Sequence, residues 1–310
     1  MDFPTTLATS RLVLTEAAIT ERLRRRSDVI LHPSLFITPL IYDDRGRDCL
    51  TEIYHQYREI ARAASLPMLL CAPTWRVDRQ RCAVAGLGDS LNRDAVRFMV
   101  ELRDSWQDPR SPVFAGGLIG PRNDCYQGAS ALPVDEAERY HRWQIGELAA
   151  AGVEVVVGQT FPAVSEAVGV ARVCAAAGLP HILSFVINRH GSLLDGTPLA
   201  AAVAAVDQET DGSPICYMVN CAYPLFLQAE KQPPELWRRL WGIQANSSSL
   251  DHNQLDGSVE LHQDSLQEWG EAMLTLHRRH GLKILGGCCG TDDRYLSYIT
   301  QNVCYPETEG

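Results

Sequence analysis

Apolar residues along this chain fall into eight short runs, each followed by a longer stretch in which apolar positions recur every three or four residues. The short runs, rich in Val, Ile, Leu and Ala, predict strands over 11–16, 67–74, 113–119, 153–160, 181–187, 215–221, 240–246 and 283–288. The longer stretches predict helices over 49–64, 92–105, 134–151, 163–177, 198–206, 225–239, 265–280 and 292–301. In the third helix, Tyr140, His141, Ile145, Leu148 and Ala149 recur at helical steps along one face. Thr197-Pro198 predicts an N-cap and a first-turn proline, and Gly152 and Gly178 predict helix stops. The polar stretches 43–48 and 246–257 predict loops, the second polar enough for a mobile lid.

Strand–helix alternation repeated eight times predicts an α/β fold, a (β/α)8 TIM barrel, as a single domain spanning 1–310. Continuous rather than alternating apolar strands agree with a sheet buried on both faces. A doubly wound open sheet is the competing architecture, and it wants a Gly-rich turn after its first strand. Here that strand runs into Thr15-Glu16-Ala17-Ala18, with no glycine. The barrel is favoured.

Composition narrows the function. The 310 residues are 45% hydrophobic and 21% charged, enough for a large core without disulfide staples. A net charge of −10 argues against nucleic acid and anionic membranes as partners and points to small molecules. No signal peptide is visible, and no run reaches the about 18 apolar residues of a membrane span. Ten cysteines without an export signal predict a reducing, cytoplasmic setting. Whether the chain forms a homo-oligomer stays open.

In a (β/α)8 barrel the working face lies where the strands end. Those ends read Glu16, Thr74, Trp75, 116–120, Gln159, Thr160, Ser184, Asn220, Cys221, Asn246, Cys288 and Cys289. Two adjacent cysteines between glycines at one strand end, and a third after Asn220 at another, make a pocket for a thiophilic cation. Three thiolates with one open position suit Zn2+. A substrate thiol entering that position would lose its proton and become a nucleophile. The implied reaction is alkyl transfer to a thiol, helped by alignment of two bound reactants. The other cysteines, Cys49, Cys71, Cys82, Cys125, Cys174, Cys216 and Cys304, read as core or surface thiols. No C-x2-C or H-x3-H spacing supplies a closed structural zinc site. His277 and His280 read as cations at a helix end.

The segments Gly286-Gly287-Cys288-Cys289-Gly290-Thr291-Asp292 and Val219-Asn220-Cys221-Ala222-Tyr223-Pro224 carry a resemblance over nearly the whole chain. The sequence resembles the homocysteine S-methyltransferase family. That resemblance implies a zinc-dependent methyltransferase of methionine biosynthesis, which methylates homocysteine from S-methylmethionine, S-adenosylmethionine or betaine. It maps the zinc ligands and catalytic centre onto Cys221, Cys288 and Cys289. Two departures fall where the family holds its acceptor. The family's Asp-Gly-Gly is Glu16-Ala17-Ala18 here, and a frequent Glu is Gln159. Added methyls crowd a backbone approach that glycine permits, and a neutral amide makes a weaker bond than a charged one. The metal triad is intact, whereas the acceptor can differ from homocysteine.

Glu16, Ala17, Ala18, Gln159 and Asn220 are therefore expected around the acceptor, and Thr74, Trp75, Arg122 and Asn246 around the donor. Trp75 offers either an aromatic face for an onium methyl or a rim hydrophobe. Residues 247–249, Asp251, His252 and Asn253 read mostly as solvated loop, and Arg22, Arg24, Arg25 and Arg26 as a solvated helical face. Two rival readings remain: a non-catalytic zinc- or thiol-binding barrel with an altered acceptor site, and a redox barrel with a Cys288–Cys289 disulfide.

Overall fold

The computed structural model describes residues 2–256 and 258–303. Gly257, Cys304 and the outermost ends of 1–310 lie outside the described residues. Strands β1 (Val13–Thr15), β2 (Met68–Ala72), β3 (Val113–Ile119), β4 (Val155–Phe161), β5 (His181–Phe185), β6 (Cys216–Asn220), β7 (Leu240–Ala245) and β8 (Ile284–Gly287) form a closed barrel in sequence order. All neighbours are parallel, and β8 returns to β1 through Val13 opposite Ile284. Each predicted strand is present, its ends shifted by no more than two residues, with β3 unchanged and β4 running one residue further to Phe161.

Helices α1 (Phe3–Thr9), α2 (Thr20–Arg24), α3 (Asp44–Ala63), α4 (Arg79–Val84), α5 (Leu91–Ser105) and α6 (Val134–Ala150) are followed by α7 (Val164–Ala176), α8 (Leu199–Thr210), α9 (His252–Leu255), α10 (Leu266–His280) and α11 (Asp293–Asn302). Alternate strand residues feed two cores. Leu69, Cys71, Val155, Val157, Cys216 and Met218 fill the barrel, while Leu70, Val156, Tyr217 and Val219 pack outward on the helices. Burial on both faces is the physical reason the strands read as unbroken apolar runs. Phe3 and Leu7 of α1 join the inner cluster, with Phe3 edge-on to Phe114 at 5.4 Å, so α1 plugs the amino end of the barrel. The opposite end is left for the site. No helix among the described residues is long and apolar enough to cross a membrane.

Four local expectations are corrected. The 225–239 segment is not an α-helix but three short 3-10 turns, Pro224–Leu227, Ala229–Lys231 and Leu236–Arg238. Gln228 sits in the left-handed region at φ 48°, and Pro233 and Pro234 supply no N–H for a helical ladder. The polar stretch at 43–48 is a helix start: the Asp43 carboxylate accepts from Gly46 N at 2.6 Å and caps α3. Pro198 lies in a bridge with Ser192, so it keeps extended backbone and α8 begins one residue later. The 246–257 loop contains α9.

The tightest helix pair is α6 against α7. A Cβ on Gly169 would lie 2.5 Å from Ala137 Cβ and 2.8 Å from Val134 O, whereas one on Gly146 meets nothing within 4 Å. Gly169→Ala should therefore destabilise by about 1–3 kcal/mol despite its better helix propensity. Gly146→Ala should stabilise by roughly 0.5–1 kcal/mol. Paired denaturation curves check the opposite signs.

Candidate metal centre and substrate cavity

Asn220 ends β6 and Cys221 follows in the left-handed region, φ 51°, while Cys288 and Cys289 follow the end of β8. The three Sγ atoms lie within 4.8 Å of one another. Strand β7 sets their register, since Cys221 N donates to Gln244 O at 3.1 Å and Cys288 N to Ala245 O at 2.8 Å. Cys289 N donates to Asn246 Oδ1 at 3.1 Å, and Ser247 N donates back to Cys289 O at 3.0 Å. Buried Asn220 ties three strand ends together. Its Oδ1 accepts from Thr160 N at 2.9 Å and Ser184 Oγ at 2.7 Å, and its Nδ2 donates to Cys221 Sγ at 3.3 Å. His252 Nε2 lies 2.9 Å from Cys221 O, which makes that nitrogen the donor. Gly287 is needed for close approach, because a Cβ there would reach 2.1 Å from Thr291 Oγ1.

The sulfurs titrate as a unit. Hydrogen bonds from Cys221 and Cys289 hold the Cys288 thiol well below its ordinary value. Cys221 is pushed well above, first by its bond to Cys288, then by Cys289 and by burial. At Cys289 the Cys221 contact pulls downward, but Cys288 and burial outweigh it and the net shift is upward. Among the three sulfurs the mutual hydrogen bonds favour the thiolate at Cys288 over its neighbours.

The trio opens onto a cavity of about 540 Å³ at the carboxyl end of the barrel. Glu16, Ala17, Ala18, Trp75, Gln159, Asn220 and Asn246 line it. Thr74 does not: its hydroxyl donates to Leu118 O at 2.8 Å and accepts from Leu118 N at 2.9 Å, joining β2 to β3. Arg122 is also absent from the wall, its guanidinium lying over the Tyr140 ring at 5.1 Å. Asn246, Ser247 and Ser248 are buried rather than solvated. Glu16 Oε2 accepts from Cys71 N at 3.4 Å, and burial pushes its carboxyl up to about 7. The Ala18 N–H is engaged by Thr291 Oγ1 at 3.3 Å. Gln159 donates through Nε2 to Gln244 Oε1, whose own amide donates to Glu16 O at 3.4 Å. Trp75 Nε1 donates to Thr160 Oγ1 at 2.9 Å, so the indole is fixed at the rim.

Arg24, Arg76, Cys125 and Tyr126 also line the cavity, and none was singled out from the sequence as a wall residue. Arg76 directly follows the strand-end pair Thr74-Trp75, so reading one residue further would have found it. Tyr126, its ring tilted against His252 with centroids 4.8 Å apart, lies on a loop with no sequence signal. Cys49, Cys82, Cys174 and Cys216 are buried and free, as expected of core thiols, whereas Cys71 and Cys125, also buried and free, line the cavity.

A family model described as homocysteine S-methyltransferase matches residues 7–303. Among solved structures, the homocysteine methyltransferase MmuM from Escherichia coli is similar in its oxidized form, with a TM-score of 0.75 at 19% identity over 95% of this chain and 97% of that one. Its metallated form gives 0.72 at 20% identity over 96% and 98%. At this identity the structural likeness speaks for the fold. No curated protein matches the chain.

The raised Glu16 carboxyl has a consequence for stability. The folded chain holds this proton more tightly than the unfolded one, so stability falls as pH rises from about 4.5 to about 7. The full penalty above that window is about 3 kcal/mol. Glu16→Gln should leave stability nearly unchanged at pH 4.5 and raise it by up to about that amount at pH 8.5. Denaturation midpoints at the two pH values check it; an equal gain at both would contradict the assignment.

Proposed function

Given that the chain belongs to the homocysteine S-methyltransferase family and is a methyltransferase, we propose that it moves a methyl group from a sulfonium or ammonium donor to a thiol in a zinc-dependent reaction, with homocysteine as acceptor and methionine as product. The carrying observation is the convergence of Cys221, Cys288 and Cys289 on one wall of the cavity. The donor set fits zinc. Sulfurs about 2.3 Å from a tetrahedral ion stand about 3.8 Å apart, within side-chain adjustment of the observed cluster. Zinc held by these three residues would make the acceptor sulfur a thiolate at neutral pH.

The chain's own residues do the rest. Asn220 fixes the Cys221 sulfur and closes the floor of the site. Glu16, Ala17, Ala18 and Gln159 surround the acceptor's far end. The Gln159–Gln244–Glu16 chain of hydrogen bonds orients that wall without a formal positive charge. Trp75 and Asn246 border the donor. With both substrates bound, the acceptor sulfur attacks the methyl carbon and a new C–S bond forms. The bond from that carbon to the donor heteroatom breaks, its electron pair stays on the heteroatom, and the donor's positive charge disappears. The acceptor's thiol proton has already gone to bulk water, so no side chain needs to act as general base. Alignment of the two reactants is the main contribution to rate.

Protein purified without chelator should carry about one zinc per chain, the capacity of one three-thiolate site. Cys289→Ser should lose that metal and lower turnover more than about 100-fold, beyond the loss typical of a supporting residue. Cys174→Ser, behind the barrel in α7, should retain both. Elemental analysis with mass-spectrometric assay of thiol–donor pairs decides, and an active zinc-free Cys289→Ser would overturn the reading.

A further inference from the structure

The described residues of 251–264 form a strap at the cavity mouth, and Leu255, Asp256, Ser258, Glu260 and His262 of this strap line the cavity. Apolar burial does not hold it in place. Of its three apolar side chains, Val259 and Leu261 stay 92% and 46% exposed. Beyond the single turn of α9, residues 258–264 form neither helix nor strand. Polar ties hold the strap instead, and they converge on the cysteine segments. At one end His252 Nε2 donates to Cys221 O at 2.9 Å. At the other, Gln263 Nε2 donates to Gly290 O at 2.6 Å, one residue past Cys289. Gly290 N donates to Glu21 Oε2, and Arg25, paired with that carboxylate at 2.9 Å, donates to Val259 O at 2.8 Å and Glu260 O at 3.1 Å. The fit at Gly290 is close. Its φ is 79°, and a Cβ there would run into Ser247 Oγ and stand 3.1 Å from His262 O.

We infer that the strap is a metal-retaining brace: His252 and Gln263 are positioning residues that hold the Cys221 and Cys289 segments in place for zinc, so that the ion is gripped fully only while the strap is seated. This rests on the zinc reading of the same centre. Cys221 leaves β6 at φ 51°, a conformation that a residue with a side chain keeps only where its surroundings over-determine it. The sheet fixes its N–H through Gln244 O, and His252 supplies the donor for its carbonyl. With both peptide groups tied, the Cβ and the sulfur it carries stay aimed at the trio. Groups that orient metal ligands without touching the ion set its affinity in this way. A segment with few buried apolar contacts opens locally more readily than the strands beneath it. Each opening frees the Cys221 and Gly290 carbonyls together, and so loosens ligands drawn from two strand ends at once. Metal exchange then follows the strap rather than the barrel.

Zinc affinity of the full chain, by competition with a chelating dye, and the rate of zinc transfer to excess chelator test this. His252→Phe keeps a ring against Tyr126 but removes the donor, whereas His252→Gln keeps a donor and gives up the ring. His252→Phe should weaken zinc binding about tenfold or more and speed release by a similar factor. The unfolding midpoint of the metal-free protein should stay nearly unchanged, because the strap buries little apolar surface. His252→Gln should restore most of the affinity. Gln263→Leu should weaken binding in the same direction, and Asn253→Ala, exposed on the turn of α9, should alter neither affinity nor release. His252→Phe that holds zinc as tightly as wild type overturns the inference. So does His252→Gln that is as weak as His252→Phe, since the side chain would then act by packing alone. Should His252→Phe fail to fold, Gln263→Leu at the strap's other end decides by the same two measurements. Wild type that takes up no zinc would remove the zinc reading itself, whereas normal uptake with an unaffected His252→Phe removes the brace alone.

Discussion

Three sulfurs held within 4.8 Å of one another cannot all ionise without a cation between them. This constraint organises the carboxyl end of the barrel. Hydrogen bonds among the sulfurs favour ionisation at Cys288 and disfavour it at Cys221. A divalent soft ion would remove that repulsion and leave one position open. The contacts that hold the three residues in place therefore set the spacing such an ion would need.

The parallel sheet supplies that restraint. Strand β7 lies between β6 and β8, and its last carbonyls receive the N–H groups of Cys221 and Cys288. A slip of one residue along β7 would turn a sulfur from the cavity toward the helices. Asn220 and Asn246 reinforce the register from either side, each spending its side chain on neighbouring strand ends or on the cysteine segment. The backbone of Cys221 and of Thr160 adopts positive φ, 51° and 64°. Non-glycine residues bear such conformations where the surroundings over-determine them, as hydrogen bonds do here.

What could be read in advance follows from range of interaction. Strands buried on both faces announce themselves through unbroken apolar runs, so the eight strands and the closed sheet were visible in sequence. Adjacent cysteines between glycines were legible for a similar reason: local spacing alone brings two of the three sulfurs together. The 225–239 segment misled because its apolar periodicity is real, yet Pro233 and Pro234 break the ladder that periodicity would need. Thr74 misled because strand-end position does not say which way a side chain turns, and its hydroxyl serves β3. Arg76 and Tyr126 depend on loops meeting across the barrel mouth, which no local pattern encodes.

The cavity's charge distribution suits a reaction that destroys charge. In the proposed transfer a thiolate and an onium would enter, and two neutral groups would leave. Each fixed charge absent from the wall would leave the separated ions less stabilised relative to their neutral products and so favour the displacement. The buried carboxyl of Glu16 and the Gln159–Gln244 amide pair fit this, since the first is largely protonated below pH 7 and the second carries no formal charge. A fully ionised acid at this wall would add negative potential across the cavity and so stabilise the reactant cation more than the neutral products. On the proposed reading this wall would give up charge-assisted grip on the acceptor's amino-acid end and in exchange place less fixed charge near the sulfur that has to react.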